Sequence, residues 1–395
     1  MTLAKTQRTP RRLEMNYPAF GICGYSGSGK TTLIEALIPR LRERGLKVGV
    51  IKQDAHGLEI DRDGKDTDRI FRAGADVLIR DREQVFIRLH GAADADLHHV
   101  IARAGPDYDV ILVEGHKTTP LPFKVWLCKP AETRCPPQAT DIRVTLRWTD
   151  DRQRTVMEIL NTWLPAVWRA TPVYAGILIG GASSRMGRPK HLIETGGTTW
   201  IEKTVATVKG HVDMTVLLGA GDIPSSLRSL PVLPDVEDAE GPLRGMRAAM
   251  RWAPRAGWLF IACDHPDISP AAVEWLLSHR HPGVRAVMPV LPDASDTEPL
   301  LAYYDVRMAP VVERVRRPCD LAGAPGVATP TVPGNFAPAW RNYNSPEDMA
   351  IKRGMGTPGS SLAASRRTTS EIARLEPGVP SLTDHCLNRR EDRIP

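Results

Sequence analysis

The sequence predicts an α/β chain built as two three-layer units with mostly parallel sheets. Three observations carry this. A short apolar strand, a glycine-rich loop and a helix open the pattern near Ala19, and again near Val173. Strand cores such as Asp109–Val113 (DVILV) form continuous apolar runs, as strands covered by helices on both faces do. At 395 residues the chain is long for a single core.

Composition sets outer limits. Apolar content of 42% and charged content of 25% are ordinary for a globular protein. The net charge of +6 is mild, and part of it lies in an arm carrying Lys5, Arg8, Arg11 and Arg12. Residues 1–16 read as a disordered, solvated basic arm rather than a nucleic-acid grip. Basic residues elsewhere suit anionic small molecules. No apolar run reaches the roughly 18 residues of a membrane span. The N-terminus shows no apolar signal core, so cytoplasmic residence is the expectation. Six cysteines without a CxxC pair read as free thiols. The spacing of Cys128, Cys135 and His116 does not match common zinc fingers.

The elements follow in order. Ala19–Gly24 is a strand, and Lys30–Arg44 is a helix with Leu33, Leu37 and Leu41 on one face. Gly45 stops it. Val48–Ile51 is a strand, Asp66–Ala73 a helix, Val77–Ile79 and Val85–Leu89 short strands, and Leu97–Arg103 a helix. Strands at Asp109–Val113, Val125–Leu127 and Ile142–Leu146 precede a helix from Asp151 to Trp163. Leu164-Pro165 and Thr171-Pro172 place the boundary near residues 165–172. The second unit has strands at Ala175–Ile179, Met214–Leu218, Trp258–Ala262 and Ala286–Val290. Its helices are Thr199–Lys209, Pro242–Trp252 and Ala271–His279. Beyond Arg353 periodicity ends, and the tail 354–395 reads as disordered. The expected domains are therefore 17–168 and 173–353.

The first loop, Gly24-Tyr-Ser-Gly27-Ser28-Gly29-Lys30-Thr31, fits G-x-x-x-x-G-K-[ST] between a strand and a helix. Backbone N–H groups at a helix N-terminus bind phosphate oxygens, and glycines allow the wrap. Gly24, Gly27, Ser28, Gly29, Lys30, Thr31 and Thr32 are the candidate contacts. Lys30 is expected at the β- and γ-phosphates and the Thr31 hydroxyl on Mg²⁺. Glu114, at a strand C-terminus, is the candidate acid behind that metal; a helix cap or surface carboxylate is the plain alternative. No N-K-x-D motif is present, so the spacing leaves the base open.

Val50-Ile51-Lys52-Gln53-Asp54-Ala55-His56, Gly64-Lys65-Asp66-Thr67, Ala73-Gly74-Ala75 and Leu112-Val113-Glu114-Gly115 resemble the MobB family over about residues 18–165. These are P-loop GTP-binding adaptors of molybdenum-cofactor maturation. The resemblance implies GTP as the ligand. Gln53-Asp54 departs from the family's usual His-Thr.

The second loop runs from Leu178-Ile179-Gly180-Gly181 through Arg185 to Lys190 and resembles that of the MobA family, the molybdenum cofactor guanylyltransferases. Its G-G-x-S-x-R-M-G-x-x-K pattern suits attack on an α-phosphate. Arg185 and Lys190 there meet charge building on the phosphates and departing pyrophosphate. A solvated basic loop is the alternative. The resemblance puts Leu178, Ile179, Gly180, Gly181 and Lys190 against GTP, with Arg185, Lys190 and Asp264 catalytic and Asp264 on Mg²⁺. Asp264 ends an apolar strand, where a helix N-cap is its other reading. Asp235 is placed to accept from base or ribose. Gly241-Pro242-Leu243-Arg244-Gly245 resembles G-P-L-x-G, with Arg244 where alanine is usual. Glu298–Ala302 resembles a strand lining the acceptor side. Asn342 and Asn344, in N-x-N-S-P-E-D, point one way on an extended segment and are the acceptor-side pair; an Asx turn before a helix is equally compatible. His265 receives no catalytic role. Ile179 stands where alanine is usual, and either crowds the nucleotide or packs beneath it.

Together the resemblances imply a P-loop NTPase domain followed by a Rossmann-like nucleotidyltransferase domain. The implied reaction is transfer of GMP from GTP to molybdenum-bearing molybdopterin, with Mg²⁺ as cofactor and weak GTP hydrolysis by the first half. A molybdoenzyme acceptor or a chaperone is the further partner; nucleic acid and membrane are not expected. Cytidylyl or sugar-phosphate transfer and non-catalytic cofactor delivery are the other readings.

Overall fold

A computed structural model of the chain describes residues 18–52, 64, 66–75, 77–80, 82, 85–88, 96–179 and 189–343. The basic arm and the tail expected to be disordered lie outside them. In the first half, β1 (Ala19–Cys23), β2 (Val48–Lys52), β5 (Val110–Glu114), β6 (Phe123–Leu127) and β7 (Ile142–Leu146) form a five-stranded sheet in the order β2-β5-β1-β6-β7. Every pairing in it is parallel. β3 (Val77–Arg80) and β4 (Val85–Arg88) pair only with each other, antiparallel. α1 (Lys30–Glu43) buries Leu33, Ile34, Leu37 and Leu41. It and α4 (Arg152–Ala170) pack around Phe20, Ile22, Leu112 and Val125. α3 (Leu97–Ala104) joins Ile111 and Val113 in a separate core cluster, and α2 (Asp66–Arg72) is a short helix.

The break expected at Leu164-Pro165 is absent: α4 continues through Pro165 to Ala170. Its buried stripe of Val156, Met157, Leu160, Leu164 and Trp168 keeps helical spacing past the proline. Packing along that stripe offsets the one hydrogen bond Pro165 removes. The helix stops at Thr171, extended before Pro172 as its successor's ring requires.

The second half holds a seven-stranded sheet in the order β12-β11-β8-β13-β15-β14-β16. These are β8 (Val173–Leu178), β11 (Met214–Leu218), β12 (Val232–Leu233), β13 (Gly257–Ala262), β14 (Ala286–Val287), β15 (Ala302–Tyr304) and β16 (Val327–Ala328). β15 alone runs antiparallel to its neighbours. β9 (Glu194–Thr195) and β10 (Thr198–Thr199) make a small ribbon leading into α5 (Trp200–Val208). Thr199 caps α5 reciprocally with Glu202. α6 (Leu243–Trp252), α7 (Pro270–Ser278) and α8 (Ala309–Val312) complete the layers.

Two expectations need correction. The strand expected over Ala286–Val290 ends at Val287, and Val290 makes only isolated bridges to Thr297 and Thr331. Pro289 cannot donate to a ladder. Glu298–Ala302 is not itself a strand: β15 begins at Ala302, after Leu301 at φ 54°.

The halves meet at the N-terminal edges of both sheets. Asp109, just before β5, lies 3.5 Å from Arg285 and 3.8 Å from Arg307 of the second half. Arg285 also donates to the carbonyls of Pro106 and Asp107. The Arg307 guanidinium stacks 3.6 Å from the Trp168 ring centre near the end of α4. Arg280 donates to Thr171 O. Arg285 precedes β14, and Arg307 follows the reversed β15, so both emerge at the same edge. The first loop follows β1 and Asp264 follows β13, so each candidate site opens at the opposite, C-terminal edge of its own sheet. α4 spans the first half from loop to joint, about 24 Å from Arg152 to Trp168.

Candidate functional site

Two candidate sites follow from the two strand–loop–helix units, and the first is a cleft. The first, of about 950 Å³, is lined by Gly24, Gly27, Gly29, Lys30, Thr31 and Thr32. Gly24 has no substitute: a Cβ there would come 2.3 Å from Ser28 Oγ and 2.7 Å from Leu127 O. Gly27 and Gly29 adopt φ of 76° and 84°, left-handed values that favour glycine. Lys30 folds onto Tyr25 O at 3.0 Å, and Thr31 Oγ1 donates to the Glu114 carboxylate at 3.1 and 3.2 Å. Thr31 and Glu114, expected to share a metal, are thus brought together. Ser28 can meet a ligand only through its backbone. Its side chain is fully buried, away from the cleft, and only its backbone belongs to the loop. Arg152 of α4 fastens the loop by donating to Ser28 O at 2.8 Å, to Arg147 O and to Cys128 O.

The far wall of the cleft is formed by Lys52, Asp96, Leu97 and residues Gly115 to Thr119. Of these only Lys52 and Gly115 stood in a motif. The rest carry no local signature, because which loop crosses the cleft depends on strand order. His116 takes φ 51°, and burial, then Lys124, hold its pKa below the usual histidine value.

At the second site, β13 delivers Asp264 and the turn after Pro189 delivers Lys190. Lys190 Nζ meets Asp264 Oδ2 at 2.9 Å, with side chains only 16% and 19% exposed. His191 locks that turn with Nε2 at 2.9 Å from Asp222 O. Asp264 Oδ1 is buried and has no hydrogen-bond partner among the described residues. An acceptor left bare beside a phosphate-binding loop fits a cation. Tyr343 fastens the C-terminal segment here, donating from its backbone to Asp264 O at 3.2 Å and from its hydroxyl to Asp267 at 2.5 Å. Asn342 is thereby held beside His265. Burial lowers the His265 pKa and raises that of Glu298, which also feels Asp296 and Asp264.

Asp235 lies over the first turn of α6: a Cβ on Gly245 would sit 3.6 Å from its Oδ1 and 3.1 Å from Leu218 Cβ. Gly245 thus lets the helix approach the strand. Arg244, the departure in that segment, donates to Val236 O at 2.9 Å and holds the chain next to Asp235. Ile179 is 4% exposed and packs into the core with Ile177, Ile201 and Leu217. Its N–H donates to Leu218 O. Leu178 packs toward the core beside α6. Gly180, Gly181, Arg185 and Asn344 lie outside the described residues. Among the described residues, no cluster of three His, Cys, Asp or Glu side chains is arranged to hold a metal, and no helix is long and apolar enough to cross a membrane.

The fold and its candidate sites define a P-loop nucleotide-binding unit joined to a nucleotidyltransferase-type α/β unit. Residues 19–145 match the family described as molybdopterin guanine dinucleotide synthesis protein B, and residues 175–325 match the MobA-like NTP transferase domain. A molybdopterin-guanine dinucleotide biosynthesis adapter protein from Haemophilus influenzae is 35% identical over 36% of this chain and 82% of its own length. A probable molybdenum cofactor guanylyltransferase from Bacillus mycoides is 31% identical over 33% of this chain and 68% of its own length. The crystal structure of a molybdopterin-guanine dinucleotide biosynthesis protein A from Archaeoglobus fulgidus matches 46% of the chain and 97% of its own at 23% identity, with a TM-score of 0.39. The chain belongs to the MobB adapter family in its first half and to the molybdenum cofactor guanylyltransferase family in its second.

Proposed function

We propose that the second half transfers GMP from GTP to the terminal phosphate of molybdenum-bearing molybdopterin, and that the first half binds a separate GTP and assists. The observation that carries this is the Lys190–Asp264 pair with its bare Oδ1, set at the C-terminal edge of β13 in a chain of guanylyltransferase lineage. In the reaction a pterin phosphate oxygen bonds to the α-phosphorus, and the bond to the departing pyrophosphate breaks. No protein nucleophile is required. Lys190, with Arg185, neutralises charge on the triphosphate, Asp235 and the α6 turn orient the nucleoside, and Asn342 with Asn344 faces the acceptor. Mg²⁺ held by Asp264, and in the first half by Thr31 backed by Glu114, would supply charge neutralisation on the phosphates. The domains are taken as 17–168 and 173–353, and the cytoplasm as the site of action. Among the described residues, each site opens at the C-terminal edge of its own sheet, away from the joint between the halves.

Pyrophosphate release with GTP against CTP, with and without the pterin, tests the reaction. GTP with pterin is expected to dominate, and equal release with CTP would overturn the guanylyl assignment. Lys190→Ala is expected to lower kcat/KM by about 10²–10³, the loss typical of one preorganised donor. Dinucleotide formation undiminished in that variant would remove this half as the catalyst.

A further inference from the structure

Lys124 is a lysine in the middle of a sheet. It sits on β6 and is 0% exposed. It makes no ion pair with a carboxylate among the described residues, although Asp141 lies near enough to favour its charge. Its stem crosses the sheet over Gly21, its register partner on β1. A Cβ on Gly21 would come 2.6 Å from Lys124 Cγ, so the mid-strand glycine is the space the lysine occupies. The ammonium reaches the C-terminal edge and donates to the carbonyls of Lys117 at 3.0 Å, Thr119 at 2.9 Å and His116 at 3.4 Å, and to Thr140 Oγ1 at 3.4 Å. Burial pulls the lysine's pKa down, against the opposing pull of Cys23 and Asp141.

The same loop is gathered inward throughout. Gly115 O accepts from Cys23 Sγ at 3.0 Å and Thr118 O from Thr140 Oγ1 at 3.0 Å. Five consecutive carbonyls, 115 to 119, thus turn to the protein. In a planar trans peptide the C=O and the following N–H point opposite ways. The N–H groups of His116, Lys117 and Thr118 consequently face outward, where these residues line the cleft. Successive outward amides are an anion receptor. This row begins two residues after Glu114, whose carboxylate touches Thr31. It therefore stands at the metal and terminal-phosphate end of the cleft.

We propose that Lys124 is a positioning residue: its buried ammonium turns the Lys117 and Thr118 amides into the cleft, where they receive the terminal phosphate of a nucleoside triphosphate. This rests on the reading of the first half as a nucleotide site. Lys124 acts as a fixed internal cation, and it makes the cleft prefer a triphosphate over a diphosphate.

The test measures dissociation constants for GTP and GDP with Mg²⁺ on the full chain carrying Lys190→Ala, counting only binding that Lys30→Ala removes. Lys124→Met keeps length and loses charge. It is expected to weaken GTP about tenfold or more and GDP less than about threefold, so the preference collapses. Thr140→Val removes one ligand of the ammonium without emptying a buried site, and shifts the ratio the same way by less; it decides the matter if Lys124→Met does not fold. Equal weakening of GTP and GDP would make Lys124 a structural residue only and overturn the proposal, as would unchanged GTP binding. Absence of any Lys30-dependent binding in the chain with Lys124 intact would instead refute the nucleotide-site reading, and the proposal with it.

Discussion

Removing the Asp109 carboxylate should cost stability while sparing activity. The residue is 3% exposed. Its Oδ2 accepts from the backbone N–H of Lys47 at 2.8 Å, and Oδ1 lies 3.5 Å from Arg285 and 3.8 Å from Arg307. Deleting one member of a buried pair costs about 3–5 kcal/mol when the partner charge is left bare. Neither guanidinium is left bare here. Arg307 keeps Asp305 at 2.5 Å, and Arg285 keeps the carbonyls of Asp107 and Pro106 at 3.0 and 3.3 Å. Asp109→Ala is therefore expected to cost about 2–3 kcal/mol. Asp109→Asn, which keeps an acceptor for Lys47, should cost about 1 kcal/mol. Urea unfolding followed by circular dichroism measures both. GMP transfer by the folded variants should stay within about threefold of the parent, since the joint and the transferase site lie at opposite edges of the sheet. A loss under about 0.5 kcal/mol for Asp109→Ala would refute the burial argument. A tenfold fall in transfer by folded protein would refute the separation of joint and site.

Two further outcomes follow from the first half. Gly24→Ala places a Cβ against Ser28 Oγ and Leu127 O and should abolish Lys30-dependent GTP binding, with a stability loss of about 2–3 kcal/mol readable as a fall in Tm. Burial pushes the Cys23 thiol from its ordinary 9.0 up to about 11. The neutral thiol is thus favoured in the fold, so its stabilisation is complete below about pH 9 and declines as pH rises toward 11, where the unfolded thiol ionises first. Cys23→Ala should flatten that alkaline decline in urea unfolding; an unchanged slope would exclude the thiol as its source.

The two candidate loops could be picked out because phosphate binding at a helix N-terminus is a local affair, written in consecutive residues between one strand and one helix. Lys30, Thr31 and Lys190 were picked out that way, and Glu114 and Asp264 because a carboxylate ending an apolar strand lies at the ligand edge of an open sheet. The reach of α4 past Pro165 was not legible. A proline removes one hydrogen bond locally, whereas the stripe that outweighs it is felt only against the opposing core. Ile179 is of the same kind, since its burial depends on Ile201 and Leu217 from other elements.

Sequence alone thus determined the fold class and the family, each encoded in short-range pattern. Tertiary structure decided what depends on register and on which edges abut. Gly21 faces Lys124 only because β1 pairs with β6, and the carbonyls of the 116–119 loop converge on that lysine and on Thr140 only because β6 and the loops beside it come together. Asp109 meets Arg285 and Arg307 only because the two sheets join by their N-terminal edges. Those pairings span up to 198 positions of chain between Asp109 and Arg307, a separation that packing closes and no local pattern records.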